Sequence, residues 1–503
     1  MNTIVGLILN GLKMTYSFSV IFWIISGTFL GLVVGIIPGF QSAMAIAILL
    51  PITIFIGPFE SMVFLISIYI ADIYGGSMTA IIINIPGTGS SAATTLDGYT
   101  MTQKGECARA LGLSFGSSFF SGIIAYILML FVMFPIAKFA IMFGSPEIFL
   151  LGLWGVTVLA SIGSNNMIKA LLAGFFGLAI GTIGMTATGE WRAHFGSIYL
   201  VEGVNFIPAI IGLYAVSEIM SMATRKFIVR DRLPEIPKIR NIIKGIFEIF
   251  KYYGVFLRST IIGIIIGAIP AVGGSVASLL TYGEAKKIDH NPELFGTGYP
   301  PGIVAPESAN NACTGGALIT TFSLGIPGST TAAVLVGALM IQGLTPGPQF
   351  LREQISLIYA IIVAAIIAQC FMLLFSIIIG YKAVGILNIS TKYLIPIISV
   401  FCVTGTYAIR NTMFDVYLMI ACGLLGWLMK RNDYPLVAVI IGIVLGPIID
   451  KEFIRTVTIY RDYWFLQILS RPISLIVLLL IIISLSTPLI RSIKLKRKKL
   501  IQN

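Results

Sequence analysis

Apolar runs of about 18 or more residues recur from end to end of this chain, each long enough to cross a bilayer as a helix. An outer-membrane barrel would show roughly 10-residue alternating segments instead. The chain therefore reads as an all-α polytopic membrane protein. Composition agrees: of 503 residues, 57% are hydrophobic and 11% charged, with a mean hydropathy of +0.96, where soluble domains carry about a quarter charged residues. The net charge of +12 gathers in 223–258 and in Arg491–Lys499. With no soluble domain to present them, these clusters read as cytoplasmic retention signals and not as nucleic-acid sites.

Two apolar segments carry the same interruption. One reads Asn84-Ile85-Pro86-Gly87-Thr88-Gly89-Ser90-Ser91-Ala92-Ala93. The other, about 240 residues on, reads Gly325-Ile326-Pro327-Gly328-Ser329-Thr330-Thr331-Ala332-Ala333. Proline removes a donor and blocks the preceding turn, glycine admits a tight backbone, and Ser or Thr then suits a new N-cap. Each break predicts a half-helix starting inside the membrane, with free N–H groups and a dipole that favour an anion. Gly/Pro-interrupted segments in corresponding positions of two halves point to a transporter's binding site. A lone break would read as a packing kink; two, each with three hydroxyl residues, favour a substrate site.

The rest of the chain repeats too. Gly31-x3-Gly35-x2-Pro38 matches Gly263-x3-Gly267-x2-Pro270, and Tyr74-Gly75-Gly76 matches Thr314-Gly315-Gly316. Asn165-Asn166 and Gly174-x2-Gly177 are echoed by Arg410-Asn411 and Gly423-x2-Gly426. Stretches 2–13 and 239–251 both read as amphipathic entrance helices; the second sets Ile239, Ile242, Ile243, Ile246, Phe247 and Phe250 against Lys238, Arg240, Lys244 and Lys251. The expected organisation is a first repeat at 1–222, a basic cytoplasmic linker with an interfacial helix at 223–258, a second repeat at 259–450, and an extra helix with a basic tail at 451–503. About 11–13 spans or hairpins are expected. With linker and tail both cytoplasmic, the second repeat crosses an odd number of times once the unpaired last helix is subtracted. Equal counts then put the N-terminus outside and make the halves inverted-topology repeats. Residues 1–16 run into a full-length apolar segment, so no cleavable signal peptide is expected.

Further polar groups lie within apolar sequence. Gly35-Ile36-Ile37-Pro38-Gly39 and Gly267-Ala268-Ile269-Pro270-Ala271-Val272-Gly273-Gly274-Ser275 are either broken helices lending carbonyls to a cation or packing faces. Asp72, and its rough counterpart Glu307-Ser308-Ala309-Asn310-Asn311, either hold a coupling Na+ or relay a proton, or else sit in a wet interfacial loop. Glu190-Trp191-Arg192-Ala193-His194 reads as a solvated loop, and Asp97-Gly98-Tyr99 as a boundary turn. The five cysteines lack CxxC spacing, and the two histidines make a metal centre unexpected. No cofactor is expected besides Na+ or H+ as coupling ion.

The runs Asn84-Ile85-Pro86-Gly87-Thr88, Thr94-Thr95-Leu96-Asp97-Gly98-Tyr99, Ala305-Pro306-Glu307-Ser308-Ala309-Asn310-Asn311-Ala312 and Leu324-Gly325-Ile326-Pro327-Gly328-Ser329 closely resemble the large, TctA-type membrane subunit of tripartite tricarboxylate transporters. Phe295-Gly296 and Gly343-Leu344-Thr345-Pro346-Gly347-Pro348 fit as well. Tyr299-Pro300-Pro301-Gly302-Ile303-Val304 departs from the family's usual acidic residue and Gly-Val-Ala. The resemblance implies a bacterial inner-membrane permease with two partners: a small four-helix TctB-type membrane subunit and an extracytoplasmic TctC-type solute-binding protein. It implies ion-driven uptake of citrate or another di- or tricarboxylate, and the absence of a Walker A motif agrees. An intramembrane enzyme lacks support, with no GxGD or HExxH in the sequence and only two histidines. An ion channel fits two long unequal halves less well than alternating access does.

Overall fold

Proline and left-handed residues punctuate the helices. In the computed structural model, which describes residues 4–37, 40–140, 142–162, 167–224, 238–270, 272–380 and 391–486, Pro58, Pro301 and Pro348 each open a helix. There a missing N–H costs nothing. The long helices Pro58–Ile83 and Pro301–Leu324 end at Asn84 and Gly325, with φ of 61° and 71°. A left-handed residue reverses the chain at a helix C-terminus and favours Gly or Asn.

Six described helices are long and apolar enough to cross a membrane: Phe18–Gly35, Pro58–Ile83, Cys107–Lys138, Ile239–Ala268, Ile355–Gly380 and Met413–Arg431. Leu436–Ser470 and Pro472–Ser486, bent by 74° at their junction, supply a seventh. Shorter apolar helices such as Ser42–Phe55, Phe206–Ser221 and Thr330–Ile341 fill the space between them. The six or seven candidate spans fall short of the expected 11–13 spans or hairpins, because Pro and Gly cut several apolar runs into helices too short to cross. The protein is an all-α multi-pass membrane protein. Its one described sheet is a ribbon of Gly184–Met185 with Trp191–Arg192, in the stretch read as a solvated loop, and Trp191 is exposed there.

The two halves repeat their packing. Phe18–Gly35 lies along Pro58–Ile83, and Tyr253–Ala268 lies along Pro301–Leu324. A Cβ on Gly35 would fall 2.1 Å from the Asp72 carbonyl oxygen, and one on Gly267 2.2 Å from that of Cys313. Only glycine permits these approaches. Ile4–Thr15 lies on Ile355–Gly380, as Ile239–Glu248 lies on Cys107–Ala140. The expected stripe of the second entrance helix divides: Ile242 and Ile246 are buried, whereas Ile239, Ile243, Phe247 and Phe250 stay exposed, as a lipid-facing edge would. The later glycine pairs also pack across the halves. Gly177 abuts the Val439 carbonyl, and Gly426 the Leu213 carbonyl.

Pro58–Ile83 and Pro301–Leu324 run in opposite directions. Ser77, near the end of the first, donates to Glu307, near the start of the second, at 2.8 Å, whereas Tyr69, two turns earlier on the first, meets Ser329, just past the end of the second, at 3.0 Å. The helix Pro472–Ser486 is tied to the body at Glu147, which accepts from Arg471 Nη1 at 2.8 Å and Ser474 Oγ at 2.7 Å. Pro38, Gly39, Ala271, Asn165, Asn166, 225–237 of the basic linker and the tail Arg491–Lys499 lie outside the described residues.

Candidate functional site: a cavity ringed by helix starts

The two Pro-Gly breaks have the same geometry. After Asn84 the chain doubles back, and Gly87 passes so close to its neighbours that a Cβ would sit 2.5 Å from Gly76 Cα and 2.6 Å from the Gly35 carbonyl oxygen. After Gly325 the chain does likewise. A Cβ on Gly328 would sit 2.6 Å from Ala317 Cα and 2.5 Å from the Gly267 carbonyl oxygen. Each return segment is therefore wedged against its own half's broken helix. New helical turns start at once. Ser329 caps Thr330–Ile341, its Oγ accepting from Ala332 N at 3.2 Å. Thr88 and Ser91 form a reciprocal capping box over Gly89–Ser91.

Both new starts face one cavity of about 130 Å³, far above the ~10–15 Å³ that a single water needs. Thr88, Gly89 and Ser90 line it from the first break; Ser329, Thr330 and Thr331 line it from the second. Two further helix starts complete the ring: Gln41 and Ser42 at the head of Ser42–Leu49, and Gly273, Gly274 and Ser275 at the head of Gly273–Ile288. Neither of these has a side-chain cap, which leaves first-turn N–H donors for a guest. Tyr69 and Asn310 also line the cavity. Tyr69 Oη meets Ser329 Oγ at 3.0 Å, and both polar atoms of the buried Asn310 side chain lack a protein partner. Among the described lining residues none is Asp, Glu, Lys, Arg or His. The cavity is thus positive by dipole and donor, with no cation of its own.

The structure brings together Thr88, Ser90, Ser329, Thr330 and Thr331 of the expected substrate set. Ser91 is buried and turned onto the Thr88 backbone, donating to its carbonyl at 2.9 Å. Asn84, Pro86, Gly87, Gly325, Pro327 and Gly328 shape the breaks without lining the cavity. Of the expected coupling-ion set, Gly273, Gly274, Ser275 and Asn310 line it; Asp72, Glu307 and Asn311 do not. Asn311 Oδ1 meets Gln369 Nε2 at 3.4 Å. Gly35 and Gly267 are packing faces at the ends of helices that break and resume at Ser42 and Gly273, so both expected readings of those segments describe part of the geometry.

The pairing of Asp72 with Glu307 needs correction. In the register of Pro86 and Pro327, Gly35 lies on Asp72 as Gly267 lies on Cys313, and Gly75 meets Leu32 as Gly316 meets Ile264. Cys313 is therefore the counterpart of Asp72, Asn310 that of Tyr69, and Gly316 that of Gly75. Asp72 is fully buried; one carboxylate oxygen accepts from Ser42 Oγ and the other has no partner. Glu307, also fully buried, accepts from Ser77 Oγ at 2.8 Å, Ser114 Oγ at 3.1 Å, Ser118 Oγ at 3.0 Å and Thr94 Oγ1.

Sequence reading passed over Gln41, Ser42, Tyr69 and Cys313. The polar pair Gln41-Ser42 directly after Pro38-Gly39 was the available signal. Asp97 was also underread. It is buried and accepts from Gly296 N at 2.9 Å, Gly298 N at 2.8 Å, Tyr299 N at 2.8 Å and Tyr282 Oη at 2.9 Å. It pins the first break's outgoing helix to the loop before Pro301.

The family model described as "Tripartite tricarboxylate transporter TctA family" matches residues 21–441. An Agrobacterium vitis protein described as "Uncharacterized 52.8 kDa protein in TAR-I ttuC' 3'region" is 36% identical over 480 residues, 95% of each chain. A second protein of that organism, "Uncharacterized protein in TAR-II ttuC' 3'region", is 35% identical over 199 residues, 40% of this chain and 82% of its own. No solved structure matches. The match to the family model over most of the chain, with the full-length relative, shows that this chain belongs to the tripartite tricarboxylate transporter TctA family.

Proposed function

We propose that this chain is the large permease subunit of a secondary transporter. It imports a small carboxylate, citrate or another di- or tricarboxylate, by alternating access driven by Na+ or H+. The observation that carries this reading is the cavity ringed by helix starts, which offers N–H and hydroxyl donors to an anion without a basic side chain. Dipoles and hydroxyls bind an anion specifically yet allow release. Matched glycine contacts and oppositely directed core helices support inverted-topology repeats. The basic stretch ahead of Ile239 supports a cytoplasmic linker in a bacterial inner membrane, with the C-terminus on the same side and the N-terminus outside. Tags at the two termini then report opposite faces. Family membership supports two partners, a small TctB-type membrane subunit and a TctC-type extracytoplasmic binding protein that delivers the carboxylate.

The test is uptake of radiolabelled citrate and succinate into proteoliposomes, with and without a cognate binding protein and with imposed Na+ or proton gradients. Gradient-dependent accumulation is the expected result. Downhill flux indifferent to both gradients would identify a channel, and no flux at all would refute the reading.

A further inference from the structure

We propose that Asp72 is the seat of the coupling cation and that Glu307 is not; this rests on the carboxylate reading of the cavity. Both acids are fully buried within the protein, but their surroundings differ. The carboxylate of Glu307 accepts from four hydroxyls, Ser77, Thr94, Ser114 and Ser118, about as many donors as a carboxylate has lone-pair sites. Those donors come from three helices, so Glu307 is a completed internal joint with no place for a cation.

Asp72 is incomplete. Ser42 Oγ serves one oxygen, and the other has no partner. A buried carboxylate left half-served in low dielectric calls for a proton or a metal cation. Ser42 itself lines the cavity, so the carboxylate stands one side chain behind the anion's wall. Of the ionisable side chains on the neighbouring elements, Tyr69 lies one turn earlier and Tyr74 two residues later on the same helix, and Pro301–Leu324 carries Glu307 and the cavity-lining Cys313. No ion pair to Asp72 occurs among the described residues.

The repeat sharpens the assignment. Cys313 occupies in the second half the place of Asp72 in the first, so this pair of positions sets a single carboxylate behind the cavity wall. Each carboxylate of an entering anion that comes within about 6 Å of this negative charge loses about 100-fold in affinity at an effective dielectric of about 20. One monovalent cation on Asp72 removes it. By reciprocity the anion strengthens cation binding by the same factor, so the two travel together.

The experiment compares wild type, Asp72→Asn and Glu307→Gln in proteoliposomes with radiolabelled citrate and succinate. Asp72→Asn should lose gradient-driven accumulation yet still exchange labelled for unlabelled carboxylate. Its carboxylate affinity should no longer respond to cations, whereas that of wild type should change about 100-fold. Imposing a proton or a sodium gradient separately identifies which cation Asp72 holds. Normal accumulation by Asp72→Asn, or exchange without accumulation in Glu307→Gln, overturns the assignment. Thermal melting of the purified protein against pH and Na+ decides the matter without any substrate. A cation response present in wild type and absent in Asp72→Asn supports the site even if the carboxylate reading fails; equal responses overturn it.

Discussion

Ser329 offers the clearest separation of fold from function. Its hydroxyl caps Thr330–Ile341 by accepting from Ala332 N at 3.2 Å, meets Tyr69 Oη at 3.0 Å, and lines the cavity. Ser329→Ala removes both roles. The cap is worth about 1 kcal/mol of stability. A hydroxyl donated to a charged carboxylate contributes about 1.5–3 kcal/mol, so carboxylate affinity should fall roughly 10- to 150-fold. Ser329→Gly distinguishes the two effects, because glycine at an N-cap costs only a few tenths of a kcal/mol. It should recover most of the melting temperature and none of the affinity. The assay pairs equilibrium carboxylate binding with thermal melting on the same detergent-purified protein, after confirming equal membrane insertion. Unchanged affinity in Ser329→Ala would refute the site. Affinity restored in Ser329→Gly would show that the hydroxyl acts only by starting the helix.

Four other outcomes follow from the same geometry. Ser91→Ala, which removes a buried hydroxyl turned away from the cavity, should cost about 1 kcal/mol in melting experiments and leave carboxylate affinity unchanged. Gly328→Ala puts a methyl 2.5 Å from the Gly267 carbonyl oxygen and 2.6 Å from Ala317 Cα; stability should drop by about 1–3 kcal/mol, with transport lost at growth temperature. Asp97→Ala strips the partner from three backbone N–H groups and from Tyr282, and proteolysis should then cut more rapidly within 289–299. With the native cysteines replaced, Ser275→Cys should react with a small thiol reagent, and saturating carboxylate should protect it, because position 275 is exposed and lines the cavity.

The breaks were legible because their chemistry is local. Proline, glycine and hydroxyl residues in one short run declare a stop, a close approach and a new start, and those steps occur at Asn84–Ser91 and Gly325–Thr331. The ring was only half legible. Ser42 and Gly273 begin helices beside the breaks only because Gly35 and Gly267 let their helices press onto Pro58–Ile83 and Pro301–Leu324. That contact belongs to packing between segments, which a linear pattern carries faintly. The carboxylates illustrate the same boundary. Asp72 and Glu307 looked alike as acids in apolar sequence. What separates them is the placement of Ser77, Thr94, Ser114 and Ser118 on helices that meet around Glu307 alone. The counterpart of Asp72 was missed because Cys313 shares no chemistry with it, and only the matched contacts of Gly35 and Gly267 reveal the register.

The account stands on one anion touching both breaks at once. The most direct measurement is an experimental structure of transport-active protein with its carboxylate bound. The density is expected between the two starts, within hydrogen-bonding distance of Ser90 or Thr88 on one side and of Ser329 or Thr331 on the other. A carboxylate held by one break alone, or bound outside this cavity, would contradict the account.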